Sequence, residues 1–113
     1  MKLNFKLVEL TEALKETLTC CFKLSETDLV VLSVLMSMGK ASSEEIAERL
    51  KVSKTTVNNS MRRLLENALV VREKDQTKRT GRPRYHFSVS PDFEKVIKEK
   101  VEQCSKRLSS LIE

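Results

Sequence analysis

The polar residues that follow Ser53 are of the types that recognise a nucleic-acid double helix. An asparagine amide can pair with adenine, and a guanidinium with guanine, through two hydrogen bonds, and each good pair contributes about 1–3 kcal/mol of discrimination. We therefore expect base contacts from four side chains, which are Thr55, Asn58, Asn59 and Arg62. Phosphate contacts are expected from three more, which are Lys54, Thr56 and Arg63. The alternative is a basic surface helix that does no more than face solvent.

A helix over residues 53–67 must position these side chains. Ser53 is a favourable N-cap, because its hydroxyl can accept a hydrogen bond from a first-turn N–H group that has no partner within the helix. A helix N-terminus can also meet a phosphate. Apolar residues then recur on one helical stripe, namely Val57, Met61, Leu64 and Leu65. Asn67 can end the helix in the left-handed conformation. The pattern predicts one buried face and one cationic, amide-rich face of a size that enters a major groove.

Two further helices are predicted before this one. The first begins at Ser25 and ends at Gly39, and it is apolar almost all round, which indicates a central buried helix. The second begins with a capping box between Ser42 and Glu45 and ends near Lys51. So few residues then separate it from the helix at 53–67 that the two must cross steeply, which is helix-turn-helix geometry.

A two-stranded hairpin is predicted after the helix-turn-helix. Residues 70–74 and 85–89 have strand character, with Tyr85, Phe87 and Val89 alternating on one face. The polar loop 75–84 between them is longer than a turn requires. Its cations are expected to contact DNA, and they are Lys78, Arg79, Arg82 and Arg84.

The segment Gly81-Arg82-Pro83-Arg84 resembles the core of an AT-hook, although Thr80 replaces the first arginine of that motif. Arg82 is expected to enter a narrow, electronegative minor groove. The other three loop cations are expected on flanking phosphates. The alternative is a basic loop of general phosphate affinity.

Each end of the chain carries an apolar seam with alternating spacings of three and four residues, which is typical of helix pairing. The first, on a helix predicted over 3–22, comprises Leu3, Leu7, Leu10, Leu14 and Leu18. The second, on a helix predicted over 91–112, comprises Ile97, Val101, Cys104, Leu108 and Leu111. We expect both seams to form a dimer interface. The alternative is that they pack only on each other within one chain.

The positive charge of the chain is concentrated in one segment. The net charge is +5, but the segment 49–84 holds eleven basic residues and three acidic ones, and the remainder of the 113 residues has ten basic and thirteen acidic residues. This distribution is the electrostatic footprint of a nucleic-acid surface.

The chemistry-bearing residues predict no metal, no cofactor and no enzyme. His86 is the only histidine, and the scattered acids form no triad or dyad. The three cysteines, Cys20, Cys21 and Cys104, are too few for a four-donor metal site, and their odd number argues against a disulfide framework. Buried thiols are favoured, with redox sensing as the alternative. The chain has no apolar run that spans a bilayer and no signal peptide, so we expect a cytoplasmic, nucleoid-associated protein.

The middle half of the chain resembles the small winged-helix transcription regulators of prokaryotes, the MarR, TrmB and ArsR-like group. The helix-turn-helix at 42–67 and the wing residues 80–87 carry this resemblance, with Asn67 standing where such proteins usually have glycine. The resemblance implies a homodimer that reads DNA with the helix at 53–67, the recognition helix, and with the wing.

The sequence thus predicts a mainly α protein with a small β-hairpin, a winged helix-turn-helix with dimerisation helices at both ends. One domain is expected over 1–113, with a core at 23–90 and a wing at 70–89. The predicted function is sequence-preferring, double-stranded DNA-binding transcription regulation by a homodimer, with any small-molecule effector left open. The alternatives are an architectural chromatin protein of low sequence specificity and a winged-helix module for protein–protein contact.

Overall fold

A computed structural model describes residues 12–74 and 84–112, with side chains described as far as Arg107. The helices in this part of the chain are α1 (Glu12–Phe22), α2 (Glu26–Met38), α3 (Ser43–Leu50), α4 (Lys54–Glu66) and α5 (Phe93–Ile112). The strands are β1 (Lys40–Ala41), β2 (Val70–Lys74) and β3 (Tyr85–Val89). The predicted class, mainly helical with a small antiparallel sheet in a winged helix-turn-helix, is confirmed.

The predicted N-caps start the three central helices. The Ser25 and Ser42 hydroxyls accept hydrogen bonds from backbone N–H groups three residues later, each at 3.2 Å. The Ser53 hydroxyl accepts one from the backbone N–H of Thr56 at 3.0 Å. Each such cap stabilises its helix by about 1 kcal/mol, so the local sequence alone places the start of α2, α3 and α4.

Helix α2 is the central element, as its apolar sequence predicts. It contacts α1, α3, α4, β1 and β3. Val31, Leu32 and Leu35 of α2 are fully buried, as are Val57 and Leu64 of α4. The recognition helix is therefore anchored directly on the middle of the core.

A left-handed residue makes the turn of the helix-turn-helix. Lys51 has φ 61° and ψ 40°, and the backbone N–H of Val52 donates to the carbonyl of Ala47 at 3.1 Å. The Ala47 carbonyl also accepts the backbone N–H of Lys51, so these two hydrogen bonds close the last turn of α3. Helix α4 can then begin within three residues of the end of α3.

The sheet contains one strand that the sequence did not predict. The strand order is β1-β3-β2, all antiparallel, and Phe87 of β3 lies opposite Ala41 on one side and Arg72 on the other. Phe87 is buried and Val89 half-buried, whereas Tyr85 is exposed at the wing end. The predicted apolar face of β3 is thus confirmed for Phe87 and Val89, which lie toward the core, but not for Tyr85. The β1 strand was missed because it has two residues, too few for a periodic pattern.

Two helix boundaries differ from the prediction. Ala68, with φ 60°, takes the left-handed conformation that was expected at Asn67, whose φ is −92°. The Asn67 side-chain amide instead donates to the carbonyl of Arg63 at 2.9 Å. Helix α5 begins at Phe93 and not at 91, because the backbone N–H of Phe93 donates to the carbonyl of Ser90 at 3.0 Å and closes a turn first.

The two terminal helices pack on each other within the chain. Leu18 of α1 and Ile97 of α5 are buried in the common core, and Leu14 packs against it. The assignment of Leu18 and Ile97 to a dimer interface was therefore wrong, because their apolar surface is already covered. Of the remaining seam residues, Leu3, Leu7 and Leu10 and the side chains of Leu108 and Leu111 lie outside the described residues.

Cys21 and Cys104 join the same two helices through a disulfide, and Cys20 is exposed. The expectation of plain buried thiols was wrong. The odd number of cysteines argued against a disulfide, and nothing local in the sequence shows that the two terminal helices run side by side.

Candidate nucleic-acid interface

Helix α4 divides into the two faces that its sequence predicts. Val57, Ser60, Met61 and Leu64 are buried against the core. The candidate residues that face solvent on the other side are Lys54, Thr55, Asn58 and Arg62, with Asn59 half-buried beside them. These four of the eight candidate residues of the recognition helix form one exposed, cationic and amide-bearing face.

Ser53 and Thr56 serve the helix start. The Ser53 hydroxyl bonds the Thr56 hydroxyl at 2.8 Å in addition to the Thr56 backbone N–H. Because both hydroxyls are used in the cap, we place these two residues at the N-terminus as supports. The neighbouring backbone N–H groups and the helix dipole make this end favourable for an anion.

Asn59 and Arg62 form a hydrogen-bonded pair on the solvent side of α4. The guanidinium Nη2 of Arg62 donates to the Asn59 side-chain oxygen at 2.7 Å. Residues three apart are neighbours on a helix surface, so the pair holds both side chains in one orientation. This arrangement brings together two of the four predicted base-reading residues.

Arg63 points back into the protein. Its Nε and Nη2 atoms donate to the two carboxylate oxygens of Asp28, each at 2.8 Å. The Asp28 side chain is 0% exposed and that of Arg63 is 46% exposed. The assignment of Arg63 to a phosphate contact therefore needs correction, because its fork is occupied by a buried partner on α2.

This ion pair sets the ionisation of both groups. Burial by itself raises the pKa of Asp28, but the hydrogen bonds from Arg63 and from the Ser25 backbone outweigh it, so the net pKa lies below the ordinary value. The Asp28 carboxylate raises the pKa of Arg63 in turn. Both groups are charged at neutral pH, and they tie the N-terminus of α2 to the recognition helix.

Glu44 of α3 lies between the recognition helix and the wing. One carboxylate oxygen is 3.1 Å from Lys54 Nζ and the other is 3.4 Å from Arg84 Nη2. All three side chains are partly exposed, so each pair contributes about 0.2–1 kcal/mol. Sequence reasoning missed this residue. In the sequence, Glu44 is only an acidic residue in the first turn of α3, a position that the helix dipole by itself favours for an acid.

A cleft of about 220 Å³ separates α3, α4 and the strand β3. Its lining includes residues of these three elements together with Arg72 of β2 and Arg84 just before β3, and the polar ones among them are Ser42, Ser43, Glu44, Lys54, Asn58, Arg72, Arg84 and Tyr85. Three cations and three hydroxyl groups around one concave surface suit a phosphate, and Glu44 is the single acid in that lining.

Side chains of β1, β2 and β3 contact one another at the base of the wing. The Arg72 guanidinium lies 4.5 Å from the centre of the Tyr85 ring, and Lys40 Nζ lies 3.1 Å from Glu73 Oε2. Arg84 directly precedes β3, and its guanidinium contacts Glu44 of α3. The other predicted wing cations, Lys78, Arg79 and Arg82, lie outside the described residues.

In residues 12–74 and 84–112, no helix has the length and apolar character needed to cross a membrane. The fold and this surface together define a winged-helix regulator. The family model of the sugar-specific transcriptional regulator TrmB matches residues 18–92. The chain belongs to this TrmB family, which confirms the resemblance drawn from the sequence.

Solved structures place the chain among similar proteins. The ST1889 protein from the thermoacidophilic archaeon Sulfolobus tokodaii is 34% identical, with a TM-score of 0.77 over 90% of this chain and 97% of its own. A possible transcriptional regulator from Methanosarcina mazei Go1 is 20% identical, with a TM-score of 0.74 over 87% of this chain and 84% of its own. A MarR family protein from Bacillus stearothermophilus is 22% identical, with a TM-score of 0.53 over 88% of this chain and 66% of its own. The last two show the shared fold. No curated protein matches the chain.

Proposed function

We propose that the protein is a sequence-preferring regulator that binds double-stranded DNA with α4 in the major groove. The observation that carries the proposal is the exposed face of α4, where the Asn59–Arg62 pair and Asn58 stand opposite a fully buried face. A major groove about 12 Å wide admits one helix. An arginine held by a neighbouring asparagine is prepared to bond guanine without a large loss of side-chain entropy.

The wing extends this surface along the DNA backbone. Arg84 and Lys54 line the same cleft, and in the bound state we place a phosphate there. The loop cations Lys78, Arg79 and Arg82 then follow toward the adjacent minor groove, with Arg82 as the residue that enters it. Arg63 is withdrawn from the DNA-contacting set because it holds Asp28.

The protein is proposed to act as a homodimer, because two recognition helices about one DNA turn apart match a palindromic site. Since Leu18 and Ile97 lie in the chain's own core, Leu14 packs against it and Cys104 is bonded to Cys21, the interface is assigned to the other residues of the terminal seams. Val101 of α5 is 37% exposed and supports this assignment, and Leu108 and Leu111 continue its seam. The site of action is proposed to be the cytoplasmic nucleoid.

Selection from a pool of random duplexes with the purified full chain tests the proposed function. We expect a recovered motif with two inverted half-sites and a steep decrease of affinity with salt. A pool that stays random after several rounds would favour the architectural alternative. Sedimentation of the same protein at micromolar concentration should give the mass of a dimer, and a monomer alone would contradict the paired half-sites.

A further inference from the structure

Three sulfur atoms converge where α1 packs on α5. The Sγ atoms of Cys20, Cys21 and Cys104 all lie within 4.8 Å of one another, although 83 positions separate Cys21 from Cys104 in the sequence. Cys21 and Cys104 form a disulfide with a Cα–Cα distance of 5.6 Å. Cys20 is exposed beside it. The helix pairing therefore builds a cluster of three soft donors that the sequence spacing does not suggest.

We propose that this cluster, once reduced, binds one Cu(I) ion through three thiolates. Soft thiolate ligands favour Cu(I), zinc and the iron of iron–sulfur clusters. Sulfur atoms about 2.3 Å from a shared ion lie roughly 4 Å apart in a trigonal arrangement. The observed sulfur–sulfur distances of at most 4.8 Å are close to this geometry. Rotation of the cysteine side chains on the two packed helices can bring the three sulfurs to the distances that the ion requires.

The donor set distinguishes Cu(I) from zinc. Structural zinc sites are almost always four-coordinate. In the described part of the chain, the ligand group contains the three cysteines and no histidine, aspartate or glutamate. Three sulfur donors without a harder fourth ligand suit a soft, three-coordinate cation.

The surroundings favour an anionic complex with access from solvent. Lys100 lies one helical turn before Cys104 on α5, and its Nζ atom is 5.8 Å from the centre of the Phe22 ring, beside Cys21. Three thiolates around Cu(I) carry two negative charges in excess, and Lys100 supplies a positive charge on the same face of α5 as Cys104. Because Cys20 is exposed while the other two sulfurs are half-buried, it gives the ion a route into the site.

The disulfide and the copper complex are alternative states of the same sulfurs. A dithiol reduces the Cys21–Cys104 bond to two thiols and is itself oxidised to a cyclic disulfide. Cu(I) then forms three Cu–S bonds, the three thiols release three protons, and the copper remains Cu(I). Nothing in this site depends on the proposed DNA contacts.

The test uses the full chain, reduced with a dithiol that is then removed without air. Cu(I) is titrated in competition with a chromogenic Cu(I) chelator. We expect one tightly bound Cu(I) per chain, X-ray absorption with three sulfur neighbours, weaker binding of Zn(II), and no such site in the oxidised protein. Equal binding by the oxidised protein, or a four-coordinate zinc complex of higher affinity, would overturn the proposal.

Variants locate the site. Loss of a group that only hydrogen-bonds a metal ligand lowers metal affinity about 10- to 100-fold. Loss of a direct ligand should cost at least as much, so we expect this decrease in Cu(I) affinity for each of Cys20→Ser, Cys21→Ser and Cys104→Ser. Ser105→Ala, at an exposed position beside Cys104, is the matched control and should bind as the unaltered chain does. Cys20→Ser is decisive, because Cys20 is exposed and outside the disulfide, so circular dichroism should show an intact fold. Unchanged Cu(I) affinity in that folded variant would refute a three-thiolate site.

Discussion

Arg63 on the recognition helix grips Asp28 at the start of α2 with two hydrogen bonds of 2.8 Å each. The aspartate belongs to the capping box of α2, since its carboxylate also accepts the Ser25 backbone N–H at 3.1 Å. One buried carboxylate therefore caps the start of α2 and also holds an arginine of the recognition helix. Although Arg62 and Arg63 are adjacent, this contact assigns them to different tasks.

Replacing Arg63 should reduce stability. Arg63→Gln leaves a buried carboxylate without its charged partner, and an unsatisfied buried group costs about 1–3 kcal/mol. We expect a loss of this size in urea denaturation. Arg62→Gln, next to it and on the solvent side, should change stability by less than about 0.5 kcal/mol and should weaken DNA binding instead. Equal effects of the two substitutions on stability would show that the ion pair does not anchor α4.

The same pair should make stability depend on pH in the acidic range. The pKa of Asp28 is lowered in the folded chain, and that of an unfolded aspartate is about 3.9. The stabilisation is therefore fully present above the unfolded value and is lost as the pH falls through the folded one. Unfolding free energies measured by denaturant between neutral pH and the acid transition should fall accordingly.

Asp28→Asn should flatten that pH dependence, because the amide does not titrate. The capping-box residue Glu45 also has a lowered pKa, chiefly through the Ser42 backbone N–H. Glu45→Gln is thus a second variant, expected to remove a separate part of the slope. A slope that Asp28→Asn leaves unchanged would place the titrating group elsewhere.

Removing the acid between helix and wing should strengthen binding to DNA. Glu44 pairs with Lys54 and Arg84, and each exposed pair is worth about 0.2–1 kcal/mol, so releasing both in Glu44→Gln should raise non-specific affinity about 2- to 30-fold. With two cations released for phosphates, the slope of log affinity against log salt should steepen by up to about 2. Glu48→Gln, at an exposed position on the same helix, is the control. If both variants bound DNA equally more tightly, the increase would come from net charge alone and not from release of Lys54 and Arg84.

The wing makes a distinct prediction about flanking sequence. If Arg82 enters a narrow minor groove, Arg82→Ala should weaken binding most on A·T-rich flanks, where that groove is narrow and most electronegative. Anisotropy titrations on two duplexes that share a centre and differ only in their flanks measure this. A uniform loss on both duplexes would instead identify a loop of general phosphate affinity.

Local chemistry made much of the fold predictable. The Ser25, Ser42 and Ser53 caps, and the two hairpin strands, depend on residues within a few positions of each other. The buried and exposed faces of α4 follow from one periodic pattern. These features lie in local structure, so they could be inferred before any tertiary contact was known.

Features that depend on distant contacts were not predictable in the same way. Arg63 and Asp28 lie 35 residues apart, and a basic residue on a cationic helix gives no sign that a buried acid will hold it. Leu18 and Ile97 fit a dimer seam and a chain's own core equally well by spacing. Ala68 adopted the left-handed conformation in place of Asn67 because the Asn67 side chain found a carbonyl partner in the last turn.

The central claim is that the exposed face of α4 reads DNA sequence, and the most direct measurement is an affinity ratio. Dissociation constants are measured at one fixed salt concentration on the selected site and on a shuffled duplex, for the unaltered chain and for Asn58→Ala, Asn59→Ala and Arg62→Ala. Each substitution should lower the ratio by about 5- to 150-fold, since a base contact is worth about 1–3 kcal/mol, while affinity for the shuffled duplex changes far less. If all three variants keep the full ratio, this face does not read bases and the account is wrong.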